Sequence, residues 1–401
     1  MSAISKYWNE LTTGVDCSTL SHPGKTCSDH IRYQLRATVW GNMQFFIPVS
    51  ILRLFLLAYT RKAVSWEIVR QTIFEFSSMV ANGWIVSNSW SAGFCAIYHT
   101  FGRLIDNYSI SLPSLAGTLV MFWMPSYVQT SHCRAIFNVF IECWIKSREH
   151  PVIEYARESR VIGTVTFMLI SALIGHYSMR AKAVEFWFFA PLKKDLNLPG
   201  HSTQTNKVCY HRESCRTYIL DGMKTCFTFG MILELARKLL ASAPKIRQNP
   251  ATLLRALSRM RFKFVAFLTL YNGLFRLVNC LLAHHRRKVS AYDSTLAGLI
   301  SGLSYSLSPN FNVFNLAVAA MVQNAWNYVS EKYSRLELVK QLNRLSFSSI
   351  TWIILMNYNM YSRAYYPYAM SKYALKFTDL CSSAQARTAS ECLAKLFLST
   401  S

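Results

Sequence analysis

The sequence has few charged residues, and acidic residues are especially scarce. Only 16% of its 401 residues are charged, with 20 Asp and Glu against 43 Lys and Arg. Soluble proteins carry charge on about a quarter of their positions. Hydrophobic residues make up 52% of the chain, and its mean hydropathy is +0.17. This shortage of charge argues against a soluble protein and favours an integral membrane protein.

The sequence also lacks the common signatures of enzymes and of secretion. It contains no HExxH, no GxSxG, no Walker loop and no dinucleotide-binding fingerprint. Its 10 histidines include no pair at helical ligand spacing with a carboxylate. We therefore expect no enzymatic activity and no cofactor. The first residues are polar and hold no continuous apolar core, so default secretion is not expected.

Positive charge is gathered in short clusters between apolar runs. Examples are Arg61-Lys62, Lys193-Lys194 and His284-His285-Arg286-Arg287-Lys288. A nucleic-acid binder collects its basic residues on one soluble face, whereas loops that orient membrane helices carry them in such clusters. We expect no nucleic-acid partner, but contact with membrane lipids, including anionic lipids. The last cluster is either a stop at the membrane surface or a signal read by a peroxisomal membrane-protein import receptor.

About ten apolar runs, each interrupted by polar or basic residues, predict an all-α, multi-pass membrane protein. Polar groups within these runs need partners inside a helical bundle, because lipid offers them none. The predicted polar interior comprises Asn82, Arg276, Asn279 and Gln323. Arg53 and Arg276 either extend to the lipid headgroups, pair with an acid or bind a lipid phosphate inside the bundle, and Glu142 is one candidate acid.

An internal repeat is the most informative feature of the chain. Gly93 maps onto Gly273 at an offset of 180 residues, and Gly117 maps onto Gly298 at an offset of 181. Trp144 maps onto Trp326, and the apolar run from 160 to 180 pairs with the run from 344 to 363. We predict two tandem repeats of about five helices each. The predicted domains are 1–200, 201–365 and a C-terminal tail over 366–401.

Each half opens with a short segment of cysteine and histidine. The candidate metal ligands are Cys17, His22 and Cys27 in the first half, and Cys209, His211 and Cys215 in the second. Thiolates and imidazoles are ordinary zinc ligands, but these spacings are wider than the C-x2-C pairs of zinc modules. A zinc site shared between the halves, disulfides and free structural thiols all remain open. The cysteines inside apolar runs are expected to be small packing residues; they are Cys95, Cys143, Cys226 and Cys280.

Gly298 and Gly302 form a GxxxG motif in an apolar run, which Ser304 continues. Small residues one turn apart let two helix backbones approach closely in a membrane. The motif predicts helix packing within one chain, or a dimerisation or gating contact between chains.

Several of these motifs also occur in a known family. They are the Cys/His opening, ANGWIVS at 81–87, Phe94-Cys95, CYHRESC at 209–215 and STLAGLISGLS at 294–304. Over about residues 17 to 365 the chain resembles the transmembrane protein 135 family, also described as peroxisomal membrane protein 52. The resemblance implies a multi-pass protein of peroxisomal and mitochondrial membranes that regulates mitochondrial fission, peroxisome organisation and lipid handling. It implies the organelle fission machinery as a partner and no catalytic residue.

The second half of that family is similar to the pore-forming subunits of the mitochondrial inner-membrane preprotein translocase. This similarity implies an alternative function as a translocase-like channel or transporter for a lipid or polar solute. The chain departs from the family pattern in its short central loop and in Gln323-Asn324, where the family tends to place an acid. A mechanism based on an acid at that position is therefore not expected.

Overall fold

The computed structural model describes residues 16–61, 65–103, 105, 108–146, 159–180, 209, 211, 213–248, 262–287, 290–344, 346–365, 370 and 372–398. Within these ranges every regular element is an α-helix or a short 3-10 helix, and none is a strand. The prediction of an all-α fold is confirmed. The basic pair Lys193-Lys194 lies outside the described residues.

The helices follow one another along the chain as fourteen α-helices and two 3-10 helices in these ranges. They are α1 (Cys17–Leu20), α2 (Cys27–Arg61), α3 (Trp66–Phe101), α4 (Tyr108–Thr118), α5 (Ser126–Lys146), α6 (Arg160–Arg180), α7 (Cys215–Gln248), α8 (Phe262–Arg286), α9 (Ala291–Gly302), α10 (Phe311–Lys332), α11 (Glu337–Arg344), α12 (Phe347–Tyr365), α13 (Lys372–Cys381) and α14 (Gln385–Leu398). The 3-10 helices Leu119–Trp123 and Leu303–Leu307 directly follow α4 and α9.

The chain divides into two compact units. The first unit contains Met1–Glu149 and Gln341–Ser401, and the second unit contains His150–Lys340. In the first unit α3 packs between α2 and α4, and α12 lies against α4 and α5. Helices α13 and α14 pack on α2 and α12 respectively. The core of this unit is built around Trp90, Phe94, Met121 and Trp352.

In the second unit α8 packs against both α7 and α9, while α6 packs against α9 and α10. Its core contains four aromatic residues, Phe167, Phe267, Tyr271 and Tyr305. The rings of Phe167 and Tyr305 stack with 4.4 Å between their centroids. The stack joins α6 to the 3-10 helix that follows α9.

Local sequence signals explain where key helices begin and end. Ser290 and Asp293 form a capping box at the start of α9. The Ser290 hydroxyl oxygen accepts a hydrogen bond from a backbone N–H of the first turn, and the Asp293 carboxylate accepts one from the Ser290 N–H. Arg286 adds an ion pair to Asp293, with 3.0 Å between Nη1 and Oδ1. Helix α3 ends at Gly102, whose φ of +65° favours glycine. One residue of the basic cluster at 284–288 is thus used to hold a helix start.

The compact units have different bounds from the predicted domains 1–200, 201–365 and 366–401. Helix α6 lies in the predicted first repeat but packs within the second unit, and α12 lies in the predicted second repeat but packs within the first. The predicted tail contributes α13 and α14 to the first unit rather than forming a separate segment. The position of a helix in the sequence, as with α6 and α12, does not determine which of the two units it packs in.

Two of the described helices, α6 and α8, are long and apolar enough to cross a membrane. Both belong to the second unit. Length and composition alone support this statement, and a buried helix of a soluble protein can pass the same test. The number of membrane crossings therefore stays a prediction.

Candidate metal centres

The Cys/His segment of the first unit forms a compact cluster with a cysteine of α3. The Sγ atoms of Cys17 and Cys27 are 3.3 Å apart. Nε2 of His22 lies 3.4 Å from Sγ of Cys27 and 3.4 Å from Sγ of Cys95. All four donor atoms lie within 4.8 Å of one another, so one ion could contact them together. We call this set the first cluster.

The second unit contains a cluster of the same composition. The Sγ atoms of Cys209 and Cys215 are 3.7 Å apart, and Nε2 of His211 lies 3.3 Å from Sγ of Cys280. These four donor atoms also lie within 4.8 Å of one another. This second cluster combines a Cys/His segment with helix α8, as the first combines one with α3.

A second histidine lies beside each cluster. His99 follows Cys95 by one helical turn, and its Nε2 is 3.2 Å from Sγ of Cys27. His284 follows Cys280 by the same interval, and its Nε2 is 3.7 Å from Sγ of Cys215. Residues four positions apart share a face of a helix, which explains why both side chains of each pair reach the thiols. Both of these histidines are exposed.

The buried histidine of each cluster is held with one ring nitrogen toward the thiols. Nδ1 of His22 is 2.9 Å from the carbonyl oxygen of Lys25, and Nδ1 of His211 is 2.7 Å from that of Glu213. A carbonyl oxygen only accepts hydrogen bonds, so Nδ1 carries the proton and donates it. The lone pair of Nε2 is therefore directed to the thiols. Histidines that ligate metals are usually oriented in this way.

An aromatic ring supports each of these histidines. His22 stacks on His30 with 4.7 Å between ring centroids, and His211 stacks on Tyr218 with 4.2 Å between centroids. His30 and Tyr218 each lie three residues after the second cysteine of their segment, in the first turn of α2 or α7. The same local arrangement thus positions the imidazole in both units.

The donor separations fit a four-coordinate zinc ion. Zinc bonds of about 2.3 Å to sulfur and about 2.0–2.1 Å to nitrogen place tetrahedral donors about 3.4–3.8 Å apart. Within the first cluster, the Cys17–Cys27 and Cys17–His22 separations are 3.3 and 3.8 Å. The clusters lie near the carboxyl ends of α3 and α8 but also at the amino ends of α2 and α7, so the helix dipoles acting on a cation there have opposite signs.

Burial raises the pKa of the first thiol in each Cys/His segment. Burial, with a contribution from the neighbouring thiol of Cys27, raises the pKa of Cys17 to about 11. Burial and the thiol of Cys215 raise the pKa of Cys209 to about 11 in the same way. Without a cation, these groups are neutral thiols at neutral pH. A bound cation stabilises the thiolate and reverses this preference.

All six candidate ligands lie in these clusters, but the structure assembles them differently from the sequence hypothesis of one shared site. Each segment takes its further thiol from a helix of its own unit, giving two sites. The six cluster cysteines form no disulfide in the structure. Cys95 and Cys280 are buried as expected of packing residues, and Cys280 belongs to an apolar core cluster. Each sulfur atom also lies close to an imidazole, 3.4 Å from Nε2 of His22 for Cys95 and 3.3 Å from Nε2 of His211 for Cys280. The missed signal is Cys-x3-His, which recurs 185 positions later.

The GxxxG motif lies in a contact between α9 and α6. A Cβ atom on Gly298 would lie 3.0 Å from Cα of Ala172, and one on Gly302 would lie 2.6 Å from Cα of Met168. The motif therefore packs two helices of one unit closely. Ser304 is buried in the following 3-10 helix, where its hydroxyl donates to the carbonyl oxygen of Ser301 at 2.7 Å.

The predicted polar interior is distributed over several helix contacts. Arg276 donates from Nη1 to the carbonyl oxygen of Tyr218 on α7 at 2.6 Å. Asn279 accepts a hydrogen bond from Ser294 on α9 at 3.0 Å. Asn82 is buried on α3 of the first unit, and Gln323 is half-buried on α10 of the second unit.

Arg53 pairs with Glu75 of α3 rather than with Glu142. Its guanidinium also lies over the ring of Tyr127, 3.3 Å from the centroid. The hypothesis of an acidic partner is therefore correct for Arg53, and the suggested partner is wrong.

No protein-family model, no curated protein and no solved structure matches this chain. Its residues and their geometry therefore carry the functional argument.

Proposed function

We propose that this chain is a non-enzymatic, multi-pass membrane protein of the transmembrane protein 135 type. In this proposal it is built from two copies of one helical unit and resides in peroxisomal and mitochondrial membranes. Its role there is to regulate mitochondrial fission, peroxisome organisation and lipid handling. Anionic lipids and the organelle fission machinery are its proposed partners, and an import receptor directs it to peroxisomes.

The observation that carries the membrane part of this proposal is an aliphatic stripe along α6. Val161, Val165, Leu169 and Leu173 follow one another at intervals of one turn, and all four side chains are exposed. The opposite face of α6 is also apolar, because Phe167 packs in the core of the second unit. A surface helix of a soluble protein carries polar residues on its outer face. A helix that is apolar on both faces suits a lipid environment.

A second exposed stripe runs along α9 and the 3-10 helix after it. It consists of Leu296, Ile300, Leu303 and Leu307. Contiguous apolar surface of this kind marks contact with a membrane or with another protein. Both stripes belong to the second unit, which also contains the two helices that could cross a membrane.

The similarity of the two units supports the proposed duplication. Each unit has two long helices, a short helix, a 3-10 helix and a further helix in the same order. Each also places a Cys/His cluster where its first segment meets the end of its second long helix. The resemblance described above leads us to expect such paired halves.

A translocase-like channel or transporter for a lipid or polar solute is the second candidate. It requires the polar interior residues to line one path. Arg276 and Asn279 instead bond to two different neighbouring helices, α7 and α9. These contacts favour a packed bundle, so we place the channel second.

A charge placed on the exposed stripe tests whether it faces lipid. In Leu169→Lys a lysine replaces a side chain that is 55% exposed, a change that costs little in water, usually within about 0.5 kcal/mol. At the centre of a membrane helix the same lysine costs about 2.5–3.5 kcal/mol. Leu338→Lys on α11 is the matched control, because Leu338 is also exposed but lies outside both candidate spans.

The measurement is the fraction of full-length tagged protein that resists carbonate extraction, together with its overlap with peroxisomal and mitochondrial markers. We expect the wild type and Leu338→Lys to stay in the membrane fraction and Leu169→Lys to be lost from it. Equal behaviour of the two variants would contradict a lipid-facing α6. Cells lacking the protein should have elongated mitochondria and altered peroxisomal lipid; normal organelles would contradict the proposed role.

A further inference from the structure

We propose that the first and second clusters each bind one zinc ion, in a closed site that joins a Cys/His segment to a long helix. Each site uses three thiolates and one imidazole. The ligands are Cys17, His22, Cys27 and Cys95 in the first unit, and Cys209, His211, Cys215 and Cys280 in the second. This inference stands on the donor geometry and does not depend on the membrane function proposed above.

The first argument is the convergence of the donors. Four side chains from a short segment and a distant helix direct their donor atoms to one point in each unit. Simple apolar packing does not require an imidazole nitrogen aimed at three sulfur atoms. A disulfide uses two thiols, and each cluster has three. A disulfide between Cys17 and Cys27 would therefore not explain why the third thiol, Cys95, contacts Nε2 of His22.

The second argument is that each imidazole is oriented before any ion binds. The hydrogen bond from Nδ1 to a backbone carbonyl and the stacked ring beneath it hold Nε2 toward the sulfur atoms. Such orientation by neighbouring groups is typical of histidines that ligate zinc. It occurs twice in the same chain, once in each unit.

The third argument concerns the identity of the ion. Thiolate-rich sites with one imidazole and tetrahedral donor spacing are typical of structural zinc. Three of the four donor residues in each cluster are buried, which suits a closed structural site rather than an open catalytic one. His99 and His284 are exposed, and each lies beside the thiols rather than inside the buried set. We therefore place them outside the four ligands.

Zinc binding would connect parts of the chain that few other contacts join. The segment around Cys17 contains only the four-residue helix α1, and the described part of the segment around Cys209 contains no helix before α7. A short segment of this kind has little apolar surface with which to fix itself to a long helix. Four metal bonds supply that connection, because structural zinc contributes folding free energy directly.

Metal analysis of the full-length protein, purified in detergent without chelators, is the first test. We expect two zinc ions per chain, one for each cluster. Replacement of zinc by cobalt should produce the strong thiolate-to-cobalt absorption of a tetrahedral site, and no variant is needed for that measurement. Absence of stoichiometric metal would overturn the proposal. Stoichiometric copper or iron in place of zinc would also overturn it.

Single substitutions assign the ions to their clusters. Cys95→Ser should lower the zinc content to one ion per chain, Cys280→Ser should do the same, and the double variant should contain none. Cys133→Ser is the matched control, since Cys133 is a half-buried cysteine of α5 that lies outside both clusters. It should retain both ions. Equal zinc loss in the control would overturn the assignment to the clusters.

Thiol labelling distinguishes metal binding from oxidation and remains informative if a variant fails to fold. In the wild type, the six cluster cysteines should resist alkylation and become reactive after a zinc chelator is added. Mass spectrometry of peptides would identify each labelled thiol. A disulfide between Cys17 and Cys27, or protection that a reductant removes and a chelator does not, would overturn the proposal. His99→Ala and His284→Ala should retain both ions, and loss of metal from either would overturn the four-ligand assignment.

Discussion

The short helices α4 and α9 hold corresponding positions in the two units, yet their small residues contact different partner helices. In the second unit Gly302 at the end of α9 lies against Met168 of α6. In the first unit Gly117, which the repeat aligns with Gly298, lies against Val86 and Ser89 of α3. A small residue permits close packing against whichever helix crosses it, so the shared pattern of small residues does not fix the partner helix.

The two clusters show a similar division between shared and local features. Both have three thiols, a buried imidazole and a stacked ring. The first cluster alone is supported by the C-terminal helix α14, since Gln385 donates to Ser21 at 2.9 Å, next to His22. In the second cluster Arg276 lies over Tyr218, 4.1 Å from the ring centroid. The donors are common to both units, and the surrounding support differs.

The largest effect is expected for a leucine at Gly298. Its Cβ would lie 3.0 Å from Cα of Ala172 and closer still to the carbonyl oxygen of Ser171, so the backbones must separate. We expect Gly298→Leu to destabilise the second unit by about 3 kcal/mol or more, at the upper end of overpacking costs. Gly163→Leu on α6 is the control, because nothing lies within 4 Å of its Cβ position. Thermal unfolding in detergent, followed by limited proteolysis of each unit, measures the difference. An equal loss for both variants would contradict the close contact.

An intermediate effect is expected from exchanging the volumes at Gly302 and Met168. Gly302→Met should destabilise the second unit by about 2 kcal/mol because a side chain enters a filled contact. Adding Met168→Ser removes the Met168 Cγ atom, which would lie 3.1 Å from the new Cβ atom, but leaves the backbone contact in place. It should therefore restore only part of the loss, about 1 kcal/mol, through the coupling of adjacent residues. The same unfolding measurement on the two single variants and the double variant gives the coupling energy. Strictly additive effects would show that these positions do not pack together.

The smallest effect is expected from Gln385→Ala in the first unit. The change removes hydrogen bonds to Ser21 and Ser91, for which we take the lower end of the usual net contribution, about 0.5 kcal/mol each. We expect faster chelator-dependent alkylation of Cys17 and an unchanged rate for Cys209. Thr388→Ala is the control, because its hydroxyl lies on the exposed side of α14. Equal acceleration at both cysteines would show that the effect is global rather than confined to the first cluster.

The sequence by itself determined the all-helical class, the two Cys/His segments and the small-residue contact at Gly298 and Gly302. These features depend on composition, on helical periodicity and on residues a few positions apart, and such short-range patterns can be read directly from a chain. The Cys-x3-His pairs on α3 and α8 were equally readable, because both members share one helix face. They were missed because a cysteine in an apolar run usually serves as a packing residue.

Only the tertiary structure decided that Cys95 and Cys280 complete the clusters, that α6 and α12 pack within the units where they do, and that Arg53 pairs with Glu75. Each of these contacts joins separate helices, and some join residues far apart in the chain. Their meeting depends on how helix axes cross and on which side chains are small enough to permit it. Local helix propensity does not determine how two helices cross or which side chains meet there, so residue spacing in the sequence cannot predict these contacts.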